Sequence, residues 1–286
     1  MTSGAEPPVR QVRRFADADG VCHAAAEAFC AAFEACAAGA AGAAGVAGVT
    51  GRTAGRFRVG LSGGSTPRRF HTLLAAAPYR ERVDWRAVDF FWGDERALAP
   101  EHPDSNYHMA RESLLAPLAI APDQVHRMPA DADDLDAAAR AYQAEIAAVF
   151  GVDPGGPPPP FDLLIQGMGA DGHTASLFPG SAALGETERW VVANEVSSAD
   201  AVGAARRMTF TYPLINAAAR VVFLVTGDSK ARALAGVLER VLEGVAERVP
   251  EGPDPPRPLP AQAVSPAAGS LLWLVDEAAA SELRDA

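Results

Sequence analysis

Positive charge is scarce in this sequence: 25 lysines and arginines face 36 aspartates and glutamates over 286 residues, a formal net charge of −11. A surface of that sign repels a polyanion and excludes general nucleic-acid binding, so an anionic ligand must meet a local cluster of cations and backbone N–H groups. No basic helix-turn-helix segment is present to read DNA. Cysteine is equally sparse. Cys22, Cys30 and Cys36 share one alanine-rich segment, an odd number without CxxC spacing, which provides neither a disulfide framework nor a zinc knuckle and predicts buried free thiols. Long apolar runs are missing too. MTSGAEPPVRQVRRF carries no hydrophobic leader core, and no later stretch gives about 18 uninterrupted apolar residues free of Gly, Pro or charge. A soluble, cytoplasmic protein with no membrane partner is expected.

What is present is ordinary globular composition, 49% hydrophobic and 21% charged, enough for a sizeable core. GVCHAAAEAFCAAFEACAA at 20–38 predicts a helix whose apolar stripe packs on a sheet. The glycine-punctuated stretch that follows predicts a flexible insertion at 39–55. Strand, loop and helix then alternate: RFRVGL, SGGSTP, RRFHTLLAAA; AVDFFWG, a polar loop, NYHMARESLLAPL; DLDAAARAYQAEIAAVFG before FDLLIQ; RVVFLVTG before DSKARALAGVLERVLEG; and finally SLLWLV with a helix-like tail, DEAAASEL. Such alternation implies one α/β domain over 1–286, a mostly parallel sheet with helices on both faces. The Pro-rich EGPDPPRPLP is no interdomain linker, because the chain beyond it is too short for a domain.

Ligands of parallel α/β sheets sit beyond the carboxyl ends of the strands, so the loops there carry the chemistry. In SGGSTP at 62–67, Ser62, Gly63 and Gly64 form a turn open to close backbone approach, Ser65 and Thr66 offer hydroxyls, and Pro67 suits a first helical position. The turn fits an anion at a helix N-terminus or a plain Ser/Thr cap. It lacks the GK[ST] ending of a nucleoside-triphosphate loop. The second loop, GDER at 93–96, places Asp94 at the end of an apolar strand, where Arg96 is available as a partner; a surface ion pair is the plainer reading. The third, FDLLIQGMGADGHTASLFPGS at 161–181, has GxGxxG spacing at Gly167, Gly169 and Gly172. A dinucleotide needs a long helix after the last glycine, and Pro179 and Gly180 leave room for one or two turns only. VVANE is a weak strand for an acidic ribose ligand. The turn instead presents His173, a residue suited to taking a proton from water, with carboxylates near it to orient the ring. Downstream, Arg206, Arg207 and Lys230 can gather beside SGGSTP and hold a phosphate by charge-assisted bonds.

LSGGSTP, WGDER, HPDSNY, GMGADGHTASLFPGS, RMTFTYPLIN, GDSKARAL and the closing SLLWLVDEAAA occur together and in this order from about Arg58 onward. In that composite the chain resembles the 6-phosphogluconolactonase family, lactone hydrolases of the oxidative pentose phosphate pathway whose fold is shared with glucosamine-6-phosphate deaminases and ribose-5-phosphate isomerases. The resemblance implies hydrolysis of 6-phospho-D-glucono-1,5-lactone, without metal or cofactor; a monomer or small homo-oligomer is expected. It makes His173 the base, with Asp94 and Asp171 supporting the polar site and Arg96 facing the substrate. Ser65, Thr66, Arg207 and Lys230 would hold the phosphate, and Asn106 would shape its loop. Gln166 is polar where that family's strand is apolar, and GAARR lacks the prolines that usually precede the arginine, which leaves Arg206 beside Arg207 as a phosphate ligand. The nearer aspartate to His173 and the oxyanion donors stay open. Two other functions compete with this reading. A glucosamine-6-phosphate deaminase would need a glutamate soon after the histidine, whereas the next carboxylate here is Glu186. A non-catalytic sugar-phosphate regulator would carry a DNA-reading module.

Overall fold

The computed structural model describes residues 10–43, 55–196, 204–242 and 258–283. The chain opens with β1 (Arg10–Phe15) and α1 (Ala18–Ala43), followed by β2 (Phe57–Leu61), α2 (Ser65–Leu74), β3 (Val88–Trp92), β4 (Asp94–Arg96) and α3 (Asn106–Ala110). Then come α4 (Leu135–Phe150), β5 (Leu163–Gly167), β6 (Val191–Glu195), β7 (Arg206–Phe210), α5 (Tyr212–Ala217), β8 (Arg220–Val225), α6 (Ala231–Leu242) and β9 (Ser270–Asp276). Six strands form a sheet in the order β1-β9-β8-β5-β2-β3, with every neighbouring pair parallel. The expected parallel α/β architecture is therefore observed. Beside it lies a three-stranded antiparallel sheet, β4-β7-β6.

Alternation along β2 and β3 sends side chains to both faces. Phe57 meets Phe29 of α1 edge-on at 5.3 Å, while Phe91, from the opposite face, stands edge-on to Phe161 at 5.1 Å and tilted to Phe150 of α4 at 6.2 Å. By length and composition, Ala18–Gly39 of α1 is apolar enough to cross a membrane. Its Val21, Ala25, Phe29 and Cys30 are fully buried, so it serves as a core helix. All three cysteines are buried, as expected, and none forms a disulfide among the described residues. Residues 39–43 of the expected insertion continue α1, and 44–54 lie outside the described residues.

Several local expectations are corrected. RQVRRF, to which the sequence pattern assigns no element, forms β1, an edge strand, where charged side chains are tolerated because one edge faces solvent. DER is not loop: it is β4, held by β7. VVANE is a full strand, β6. The strand-like MTFTY begins earlier than its apolar pattern suggests, and Arg206 and Arg207 are the first two residues of β7. Residues 173–178 form turns closed by a Thr174–Leu177 bridge, with no helix, and the tail after β9 is also turns.

The chain runs from β2 to β3 on one side, then returns to place β5 on the other side of β2. That reversal opens a crevice at the carboxyl ends of β2 and β5.

Candidate active site

A cleft of about 280 Å³ occupies this crevice. It is lined by Ser62, Gly63 and Gly64 after β2, by Asp94, Arg96 and Arg207 from the small sheet, and by Asn106, His173 and Lys230 from loops and helix starts. Nine residues singled out in the sequence thus converge. Asp171, Ser65 and Thr66 do not line it. Asp171 stands behind His173, and Thr66 turns its hydroxyl to Thr226 Oγ1 at 2.7 Å. The N-cap of α2 is Gly64, at φ 110°, and no side chain caps the helix. Its first N–H groups are therefore not taken by a Ser/Thr cap, and Pro67 is the third helical residue rather than the first.

His173 Nδ1 lies 2.6 Å from Asp171 Oδ1, and the same oxygen accepts the His173 backbone N–H at 3.1 Å. Burial pushes the Asp171 carboxyl up, but the hydrogen bonds and charge interaction with His173 outweigh it and hold the carboxyl below its ordinary value. An ionised Asp171 can only accept, so in the neutral imidazole Nδ1 carries the proton and Nε2 the lone pair. The imidazole stacks on Phe178, with centroids 4.0 Å apart, and the Arg207 guanidinium lies 5.5 Å from the same ring. Gly169 carries no side chain because a Cβ there would strike both His173 Nδ1 and Asp171 Oδ1.

Asp94 has other partners. Its Oδ1 accepts from Asn106 Nδ2 at 3.1 Å and its Oδ2 from Ser176 Oγ at 2.6 Å. Asp171, not Asp94, is the hydrogen-bonded partner of the imidazole. The expected Asp94–Arg96 pair does not form: the Arg96 guanidinium donates to the Asp104 carbonyl, and its buried Nε has no hydrogen-bond partner. Ser62 Oγ is likewise buried and unpartnered. A buried donor left without a partner costs about 1–3 kcal/mol, and both of these belong to residues lining the cleft. In β7, Arg207 is registered opposite Arg96 and only 4% exposed. Burial lowers its affinity for the proton, Asp94 and Glu95 oppose that, and Arg96 adds to it. Arg206 pairs across from Glu195 and donates to the Asp133 carbonyl, away from the cleft. The strand's two-residue period thus separates the two arginines.

Residues 16–273 match the family of glucosamine-6-phosphate isomerases/6-phosphogluconolactonase. A 6-phosphogluconolactonase of Synechocystis is 39% identical over 80% of this chain and 86% of its own length. The chain belongs to this family. The 6-phosphogluconolactonase of Trypanosoma cruzi superposes with a TM-score of 0.75 at 27% identity, over 98% of each chain. A monomeric glucosamine-6-phosphate deaminase shares the fold at TM-score 0.69 and 20% identity, over 95% of this chain and 99% of its own.

For a 6-phosphogluconolactonase-family chain, two supporting residues have no role assigned from sequence alone. Glu95, 3% exposed, accepts from the backbone N–H of Arg96, Asn106 and Tyr107 and from Ser105 Oγ, at 2.8–3.0 Å. It ties β4 to the start of α3 and so carries Asn106 to Asp94. Gln166, the polar departure in β5, accepts from Thr174 Oγ1 at 3.1 Å beneath the His173 turn. A polar residue inside an otherwise apolar strand is the one signal that pointed to the latter. Lys230 has a clearer signal: it is the single lysine in the chain, against 24 arginines.

Proposed function

We propose that this protein hydrolyses 6-phospho-D-glucono-1,5-lactone to 6-phospho-D-gluconate, with His173 as general base. The observation that carries the assignment of the base is the Asp171–His173 pair, which leaves Nε2 free in a cleft also lined by Arg96, Arg207 and Lys230. Nε2 takes a proton from water as the water oxygen adds to C1 of the lactone. Asp171 stabilises the imidazolium that results. As the tetrahedral intermediate collapses, the bond from C1 to the ring oxygen breaks, and that oxygen takes the proton back from Nε2. Collapse gives a carboxylic acid and a free C5 hydroxyl, and the acid releases its proton to solvent to leave the carboxylate product. Arg96, which lines the cleft, is assigned to the lactone oxygens. The phosphate end is assigned to Lys230, Arg207 and the 62–66 turn at the start of α2, where uncapped N–H groups and cations favour an anion. Holding C6 this way sets the distance from C1 to the attacking water. A lactone carbonyl is reactive enough that a positioned water, one base and hydrogen-bond donors suffice.

A cytoplasmic location is part of the proposal, supported by three buried cysteines outside any disulfide among the described residues and by the burial of α1. The test of function generates the lactone with glucose-6-phosphate dehydrogenase at a pH where spontaneous hydrolysis is slow. Wild type should accelerate its disappearance, and His173→Ala should lose at least about a hundredfold in rate. No acceleration by wild type overturns the hydrolase reading; equal activity of the variant overturns only the assignment of His173.

A further inference from the structure

The loop that carries Lys230 is held from an unexpected direction. β8 and β9 pair in parallel up to Val225 opposite Val275. One residue further, the side chain of Asp276 takes over from the ladder. Both its oxygens accept the Gly227 N–H, at 3.0 and 3.1 Å, while the Gly227 carbonyl accepts the Lys230 N–H at 3.1 Å. Gly227 sits at φ 91°, a left-handed conformation that glycine adopts without strain. Asp276 is 6% exposed, and among the described residues no cation pairs with it. A buried carboxylate without a counter-charge costs several kcal/mol unless N–H groups satisfy it. Oδ1 also caps the turn after β9 by accepting the Ala279 N–H at 2.7 Å, but a local turn needs one oxygen and does not explain the reach to Gly227. A second tie joins the same loop to α2, through Thr226 Oγ1 and Thr66 Oγ1 at 2.7 Å. The lysine amine ends a flexible four-carbon stem, so its reach is defined only if the backbone beneath it is fixed.

We propose that Asp276, through Gly227, is a positioning residue for the phosphate end of the cleft, and that it sets the preference for phosphorylated over unphosphorylated lactones. This rests on the lactone-hydrolase reading. The chain of contacts is short: the carboxylate fixes the Gly227 N–H, the Gly227 carbonyl fixes the Lys230 N–H, and Lys230 lines the cleft opposite the small sheet.

The test compares hydrolysis of 6-phosphogluconolactone and of unphosphorylated glucono-1,5-lactone by the full chain as wild type, Asp276→Asn, Asp276→Ala and Thr226→Val. With Asp276→Ala, kcat/KM for the phosphorylated lactone should fall at least about tenfold, chiefly through KM, because a remote binding contact loses its register. Asp276→Asn should fall less, since its amide oxygen still accepts. Activity on the unphosphorylated lactone should stay within about twofold of wild type. Equal losses on both substrates, or none on either, overturn the proposal. If the Asp276 variants do not fold, Thr226→Val, which removes a single hydroxyl tie, should give the same asymmetry, and its absence is then the overturning result. A wild type inactive on both lactones defeats the hydrolase reading instead. In that event calorimetric binding of inorganic phosphate decides: weaker binding by Asp276→Asn supports the positioning role, and unchanged binding overturns it.

Discussion

A methyl group at position 169 would fall on His173 Nδ1 and on Asp171 Oδ1. Gly169 does not occupy a left-handed conformation, so alanine there meets no backbone penalty and removes chain entropy from the unfolded state. The whole cost of Gly169→Ala is thus borne by the imidazole–carboxylate geometry. Displacing a reacting group by about 1 Å costs on the order of a hundredfold in rate. Gly169→Ala is expected to lose about that much kcat/KM while its thermal midpoint stays within a few degrees of wild type. Retained activity would mean that the ring can move without consequence, against the role given to its hydrogen bond with Asp171. The GxGxxG letters were legible from the start, and so was their failure as a nucleotide motif. The reason for the middle glycine was not, because it depends on where two side chains return to the backbone.

At the scale of elements, Glu95 shows what sequence cannot express. In DER the two flanking residues line the cleft, and the alternation of β4 turns the middle one inward to meet α3. Burial pushes its carboxyl up, and the N–H groups of Tyr107, Asn106 and Arg96 draw it back while Asp94 adds to the rise. Glu95→Gln replaces one acceptor oxygen with a donor facing N–H or O–H groups already committed. A buried donor is left without a partner, at about 1–3 kcal/mol, and urea unfolding should show a loss of that size. An unchanged midpoint would show that the bonds are dispensable. The parallel strands β2, β3, β5, β8 and β9 were legible because each is a short apolar run bounded by turn residues. β1, β4 and β6 were not, since edge and three-residue strands owe their existence to a neighbour rather than to their own pattern. The loops after strands lead to one candidate cleft, because parallel topology fixes which end of the sheet they share. Asp276 and Glu95 were missed because each acts on a segment distant from it in the chain, through hydrogen bonds with no sequence period.

For the molecule as a whole, two histidines outside the cleft set opposite limits on stability. His126 stacks on Phe91 at 4.5 Å, bonds Glu145 at 2.8 Å through Nδ1 and approaches the buried Asp89 at 3.9 Å through Nε2. Burial works against its charge, but Asp89 and Glu145 outweigh it and push the imidazole up to about 9. The folded state therefore holds a proton that the unfolded chain releases near 6.5. Its contribution is complete below that pH and is lost progressively as pH rises toward about 9. His71 is the reverse case. Fully buried, with Ser113 Oγ 3.2 Å from Nδ1, it is pushed down to about 3 by burial, with Arg68 adding to the effect. Between about 6.5 and 3 the unfolded chain takes a proton that the folded protein refuses, so stability falls as pH falls through that window. The two slopes meet near pH 6.5, where urea-unfolding free energies of the wild type should peak, with each limb worth at most a few kcal/mol. The variants separate the limbs. His126→Gln should flatten the alkaline side and leave the acid side intact, because its neutral amide no longer gains a proton on folding. His71→Leu should flatten the acid side between about pH 4 and 6.5 and leave the alkaline side intact. A limb that survives removal of its own histidine would assign that pH dependence to other groups.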